Sequence, residues 1–287
     1  AANADAFLGA LIESDKDIVL NNGVWHGNFN GNSGQDIGID QSVPVEKLGT
    51  KFIAVRGGGV VSMERLVVIA HYDNTVVFVN GSAVPIGVIN AGGYLEIGGG
   101  NYSAGQNMFV QTSQPAYCYQ MLAGSTSTAT GGMNFIPPLS CGMPKEVDLI
   151  PFVNKIGNTT LTGGVTITTT AISTVTVTDA NGTTVYPPAS GNTVTGASDW
   201  KTYKLQGLVG NTSVISTGPV TVSIFGANSA AGFAGYFSGF GADIEMDLTV
   251  TGDTCLNSTV LSASSIFEDY EWWVDGMPIA GADSNQH

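Results

Sequence analysis

Leu11-Ile12-Glu13-Ser14-Asp15-Lys16-Asp17-Ile18-Val19-Leu20 recurs as Phe109-Val110-Gln111-Thr112-Ser113-Gln114-Pro115-Ala116-Tyr117-Cys118, and again as Ser213-Val214-Ile215-Ser216-Thr217-Gly218-Pro219-Val220-Thr221-Val222. Each copy is a short apolar stretch, a polar turn and a second alternating stretch, which is the pattern of a β-hairpin. Ile12 and Val110 lie 98 residues apart and Val110 and Val214 lie 104 apart. The unit is therefore the size of a small domain rather than of a solenoid coil, and the phrase predicts a tandem array of β modules.

Other anchors keep the same offset. Val43-Pro44-Val45-Glu46 returns as Met143-Pro144-Lys145-Glu146, and Thr75-Val76-Val77-Phe78-Val79 before Asn80-Gly81 returns as Thr174-Val175-Thr176-Val177-Thr178 before Asn181-Gly182. These offsets divide the chain into the end of a first β module (1–33), a second module (34–130), a third (131–243) and a different C-terminal stretch (244–287). A module that opens on its last strands cannot close its own sheet, so the expectation is a polypeptide that extends upstream of Ala1.

Val165-Thr166-Ile167-Thr168-Thr169-Thr170 and Val175-Thr176-Val177-Thr178 alternate at period two and are rich in β-branched residues, as strands with one buried face require. Asp73-Asn74 and Asn80-Gly81 bracket the run Thr75–Val79 as turns. The 39 glycines argue against helix, where each costs about 1 kcal/mol relative to alanine. The predicted fold is all-β, a series of sandwich-like modules.

A net charge of −14 with only 11% charged residues puts hydroxyls and amides on the solvated faces, a profile of secreted and surface β proteins. Nine Lys plus Arg without a basic cluster leave little for nucleic-acid binding, which rests on neutralising phosphate. No stretch approaches the roughly twenty apolar residues of a membrane-spanning helix. Cys118, Cys141 and Cys255 have no zinc spacing; Cys118 and Cys141 could bridge in an oxidising compartment, or serve as small buried side chains.

From Cys255 onward the vocabulary changes: Cys255-Leu256-Asn257-Ser258-Thr259-Val260-Leu261 precedes Phe267-Glu268-Asp269-Tyr270-Glu271-Trp272-Trp273-Val274. A cysteine on one strand and a tryptophan on the next reads as the start of an immunoglobulin-like domain.

Ala70-His71-Tyr72-Asp73-Asn74-Thr75, Val79-Asn80-Gly81, Asn90-Ala91-Gly92, Val110-Gln111-Thr112-Ser113-Gln114-Pro115, Tyr119-Gln120 and Ala123-Gly124 together resemble the IgGFc-binding protein N-terminal domain family. Asn134-Phe135-Ile136-Pro137-Pro138-Leu139-Ser140-Cys141 and Ala231-Gly232-Phe233-Ala234-Gly235-Tyr236-Phe237-Ser238-Gly239-Phe240 are similar to the versions in large surface proteins of Bacteroidetes. The Cys255–Gly276 stretch is similar to the immunoglobulin-like or PKD-like repeats that follow there. The resemblance implies a long exported protein at the bacterial cell surface, tied to adhesion, gliding motility and type IX secretion, and brings no catalytic residues with it.

Chemistry-bearing candidates are few. His71-Tyr72-Asp73 sets an imidazole beside a carboxylate, yet a nucleophilic triad is defined by geometry rather than adjacency. Asn30-Gly31-Asn32-Ser33-Gly34-Gln35-Asp36-Ile37-Gly38-Ile39-Asp40 offers Asp36 and Asp40 as calcium ligands but lacks EF-hand spacing, so a Gly/Asn-rich turn competes with it. No other cofactor is indicated. Trp25, Tyr94, Tyr102 and Trp200 could stack on sugars or fill a core. The expected function is a non-catalytic, structural or adhesive stalk or filament of an extracellular surface protein. Its partners would be other domains of the same polypeptide, neighbouring copies, or host and environmental glycans. A glycan- or glycoprotein-binding module is the alternative, and a secreted hydrolase the weakest reading.

Overall fold

Alternating Val, Ile and Thr runs become antiparallel strands in the computed structural model, which describes residues 8–27, 36–59, 61, 64–123, 130–140, 142–228, 231–236, 249–251, 260–263, 269–274 and 276–286. The first is a hairpin of β1 (Asn21–Gly27) and β2 (Asp36–Gln41), with Asn21 opposite Gln41. A sandwich comes next, built from β3 (Gly49–Val55), β4 (Arg65–Ala70), β5 (Thr75–Val79), β6 (Gly87–Ile89), β7 (Tyr94–Ile97), β8 (Asn107–Ala123) and β9 (Thr130–Phe135). The N-terminal half of β8 pairs with β3 (Phe52 opposite Val110) and β5 (Val79 opposite Val110). Its C-terminal half pairs with β4 (Val68 opposite Cys118) and β9 (Tyr119 opposite Phe135). β6 extends the first layer beyond β5, and β7 extends the second beyond β4. Phe52, Leu66, Val68, Val77, Met108, Val110, Cys118 and Ile136 fill the space between the layers.

The next strands are β10 (Glu146–Ile150), β11 (Lys155–Ile156), β12 (Thr159–Thr160), β13 (Thr162–Thr170), β14 (Val175–Asp179) and β15 (Gly182–Tyr186). β16 (Asn192–Thr193), β17 (Trp200–Gln206), β18 (Thr212–Ser216), β19 (Val220–Asn228) and β20 (Ala231–Tyr236) complete them. One layer runs β10-β18-β14-β15, the other β16-β17-β13-β19-β20, and β11 with β12 forms a small separate hairpin. Val147, Ile150, Val165, Ile167, Val175, Val177, Val214, Val220 and Val222 make this second core.

Strand for strand the two sandwiches pair alike. β3, β4, β5, β6, β7 and β9 take the places of β10, β13, β14, β15, β17 and β20, and the halves of β8 take those of β18 and β19. The repeated phrase is nonetheless not a hairpin. Its two arms never pair with each other: they enter opposite layers, and Ser113–Pro115 or Thr217–Pro219 is the corner between them. A polar break carrying a proline serves a strand that changes sheets as well as one that reverses. The first sandwich also runs past residue 130, because β9 pairs with β8 and Ile136 lies in its core.

The predicted turns are present: Asn74, Asn80 and Gly81 take φ of 56°, 52° and 71°, the left-handed region that Asn and Gly tolerate. Ala1–Gly241 forms one compact unit and Ala242–His287 another. Among its described residues the second contains two short antiparallel pairs, β21 (Thr249–Thr251) with β22 (Val260–Ser262) and β23 (Trp273–Val274) with β24 (Met277–Pro278). Trp272 donates its indole N–H to Ser284 O at 2.8 Å. Cys255, on which the immunoglobulin-like reading turns, lies outside the described residues.

Candidate functional site

His71, Tyr72 and Asp73 close the β4–β5 turn. The His71 and Tyr72 rings meet edge to face at 4.6 Å, while Asp73 Oδ1 accepts from Ala91 N at 3.0 Å and Asp73 O accepts from Gln114 Nε2 at 2.6 Å. The carboxylate is thus engaged in fastening neighbouring turns.

Asp40 ties β2 to the first sandwich, accepting from Gln41 N at 2.8 Å and from Phe135 N at 2.6 Å. Burial pushes its carboxyl up from the ordinary range against the pull of both amides. The side chain of Asp36, the other proposed calcium ligand, lies outside the described residues, as does that of Trp25.

The remaining aromatics are packed. Tyr94 lies against Val67, Tyr119, Met121 and Phe135. Tyr102 lies against the first core, and its hydroxyl accepts from Gln120 Nε2 at 3.1 Å. Trp200 packs on Ile53, Phe109 and Val194, where the two sandwiches meet. Cys118 is a free thiol buried in the first core, and Cys141 is outside the described residues. Desolvation pushes the Cys118 thiol up, and the thiolate is the reactive form. Iodoacetamide is therefore expected to leave Cys118 unmodified in the native protein and to alkylate it after denaturation, as peptide mass spectrometry would show; rapid native alkylation would contradict the packing.

Sequence reasoning missed a buried charged group at the junction of the sandwiches. Glu64 is fully buried. Its carboxylate accepts from Gly57 N at 2.9 Å and Gly59 N at 2.8 Å. Arg56 donates to Gln106 Oε1 at 2.7 Å and to Gly59 O at 2.9 Å. From the second sandwich, Lys204 donates to Gly57 O at 2.5 Å with its ammonium 5.3 Å from the Phe225 ring centroid. Burial raises the Glu64 carboxyl and lowers the Lys204 ammonium, outweighing in each case the attraction between the opposite charges. The only signal in the sequence was a charge opening a glycine run, Arg56-Gly57-Gly58-Gly59, with the opposite charge of Glu64 five residues beyond it. Enclosed in this way, the cluster braces a loop and joins two sandwiches rather than receiving a ligand.

Asn107 and Gly81 complete the joint. Asn107 is fully buried; its amide donates to Thr193 O at 3.0 Å and Thr202 Oγ1 at 2.8 Å, and its Oδ1 accepts from Ser103 Oγ at 2.7 Å. A Cβ on Gly81 would fall 2.6 Å from the Cα of Gly196, so only glycine permits this approach of one sandwich to the other.

One exposed surface is the outer face of the β10-β18-β14-β15 layer. Glu146, Ile215, Thr176 and Val185 form one row across it, with Ile215 and Val185 exposed by 47% and 58%. Beside them, Ser213 Oγ donates to Asp148 Oδ1 at 2.5 Å, and Thr178 and Thr183 share a hydroxyl hydrogen bond of 2.9 Å. The equivalent layer of the first sandwich presents the row Lys51, Gln111 and Phe78. The β10-β18-β14-β15 face is rich in hydroxyls, whereas the layer of the first sandwich is more apolar, with Val88 exposed by 58%; a hydroxyl-rich sheet face suits contact with an extended or glycosylated surface rather than enclosing a small molecule.

Among the described residues no group of three or more His, Cys, Asp or Glu is arranged to hold a metal ion, and no helix is long and apolar enough to cross a membrane. The family described as IgGFc binding protein matches residues 2–226. No curated protein matches the chain.

Proposed function

This chain belongs to the IgGFc-binding protein family, and from that membership we propose a non-catalytic, extracellular binding segment with a structural and adhesive role at a bacterial cell surface. The observation that carries the reading is the open outer face bearing Ile215 and Val185 among Thr176, Thr178, Thr183 and Ser213. Hydroxyls there can exchange hydrogen bonds with a sugar or a peptide backbone, and the two apolar side chains supply the desolvated centre that such contacts need. The family name speaks of an antibody constant region; the chemistry of this face fits glycoproteins more broadly. Neighbouring domains of a long exported polypeptide would hold the sandwiches away from the cell, and a filament or gliding apparatus would use them in the same way.

The test is binding of the protein to an immobilised mucin-type glycoprotein, before and after enzymatic removal of its glycans. Ile215→Asp with Val185→Asp is expected to weaken binding at least tenfold with an unchanged melting temperature. Binding that ignores both substitutions, or no binding at millimolar concentration, would overturn the assignment.

A further inference from the structure

Asn-Gly steps recur along the chain at Asn22-Gly23, Asn30-Gly31, Asn80-Gly81 and Asn181-Gly182. Asparagine before glycine is the least hindered place for a chain to attack its own side-chain amide, because the next main-chain nitrogen has no side chain beside it. Asn30-Gly31 lies outside the described residues. Two of the others are held shut. Asn22-Gly23 lies within β1, where Gly23 faces Ile39 across the ladder and a Cβ on it would fall 2.1 Å from Gly38 O. Asn80 has both ends of its amide engaged, Nδ2 donating to Asn101 O at 2.7 Å and Oδ1 accepting from Phe109 N at 3.0 Å, and Gly81 is pressed against Gly196.

Asn181-Gly182 is built differently. Ala180 and Asn181 alone join β14 to β15, with Asp179 opposite Gly182, and Gly182 takes a φ of 121°, a conformation that keeps glycine at this place. Both residues are exposed, and a Cβ on Gly182 would meet nothing within 4 Å. Asn181 N and Nδ2 donate to the two carboxylate oxygens of Asp179 at 2.9 and 3.0 Å, while Oδ1 accepts from no group among the described residues. Of the three described steps, this one alone combines a free carbonyl oxygen with an uncrowded glycine.

We propose that Asn181-Gly182 is a self-modification site, at which the β14–β15 turn converts without an enzyme to isoaspartate and aspartate and the hairpin is thereby unfastened. The main-chain nitrogen of Gly182 attacks Asn181 Cγ, the bond from Cγ to Nδ2 breaks, and ammonia leaves with the proton that the Gly182 nitrogen gives up. Water then opens the cyclic imide: at the side-chain carbonyl it yields aspartate, at the main-chain carbonyl isoaspartate. Either product sets a carboxylate at 181 where Nδ2 now donates to Asp179 Oδ2, so that like charges oppose each other. Asp179 Oδ2 also accepts from Val209 N at 2.9 Å, and the hairpin's tie to the β17–β18 connection weakens with it. Isoaspartate adds a carbon to a connection whose length sets Thr178 opposite Thr183 and Thr176 opposite Val185. These side chains lie on the face assigned to binding, so conversion would retire that face with age; this last consequence rests on the binding reading, and the modification does not.

The test is peptide mass spectrometry of the native protein after prolonged incubation at mildly alkaline pH in heavy-oxygen water. The segment holding Asn181 is expected to exchange its amide for a carboxylate carrying the heavy oxygen at least tenfold faster than the segment holding Asn80, and the two rates should converge on denaturation. Equal rates in the native protein, or no conversion at Asn181, would overturn the proposal. Asn181→Gln, whose longer side chain closes a larger ring slowly, should abolish the reaction and leave the melting temperature unchanged. Hydrogen exchange reads the consequence: amides of residues 175–186 should exchange at least tenfold faster in the converted protein, with β13 and β19 unaffected, and unchanged exchange there would refute the unfastening. Binding to the mucin-type glycoprotein separates the two readings, since conversion with faster exchange but no binding by either form would sink the binding assignment and support the modification.

Discussion

Glu64→Ala is expected to destabilise the first sandwich by about 3–5 kcal/mol, the usual cost of removing one partner from a buried, hydrogen-bonded charge group. The amides of Gly57 and Gly59 lose their acceptor, and Arg56 and Lys204 lose their counter-charge. Glu64→Gln separates these effects. It keeps the volume and one oxygen, turns an NH2 toward an amide that needs an acceptor, and should cost about 1–3 kcal/mol. Chemical denaturation checks both, and pH adds a sign. Burial raises the folded-state pKa of Glu64 above its ordinary 4.5. Its contribution to stability is therefore fully present below 4.5 and is lost as pH rises through the raised folded value. Acidification from neutrality toward 4.5 should stabilise the wild type relative to Glu64→Gln. A stability difference that stays flat across that window would mean the carboxyl is not desolvated as described.

Asn107→Ala should cost about 2–4 kcal/mol, because three polar partners lose their contact in a site closed to water. Thr193 O and Thr202 Oγ1 belong to the second sandwich and Ser103 Oγ to the first. The loss therefore falls on the joint and not on one core alone. Calorimetry should show one transition for the compact unit Ala1–Gly241 of the wild type and a broadened or split one in the variant. A sharp transition merely shifted in temperature would place the coupling elsewhere, in the apolar contact of Phe109 with Trp200 and Val194.

The all-β class and the turns at Asn74 and Asn80 were legible in the sequence because β-branched alternation and Asn-Gly steps act locally. The partners of the repeated phrase were not. Ser113–Pro115 has the composition of a reversal, and whether its flanking arms meet each other or separate into two layers depends on strands distant in the chain. Glu64 was illegible for a similar reason. The Gly57 loop that holds its carboxylate is also held by Lys204, 147 residues beyond that glycine. Tyr102 and Trp200 read as packing more readily than as sugar platforms, and the structure places both against apolar clusters. The outward rows of threonine carried no motif, since a hydroxyl at every second position is also what an unremarkable exposed strand looks like.

The 17-residue strand β8 has a mechanical consequence. Stitched to β3 and β5 in one layer and to β4 and β9 in the other, it is a single spine carrying two ladders. Tension along it must shear both ladders at once, because their hydrogen bonds lie across the direction of pull and share the load. The second sandwich divides the same path at Thr217–Pro219 into β18 and β19, so a strained chain can yield there one layer at a time. Under tension along the chain, the two look-alike sandwiches would behave as a stiff link beside a softer one.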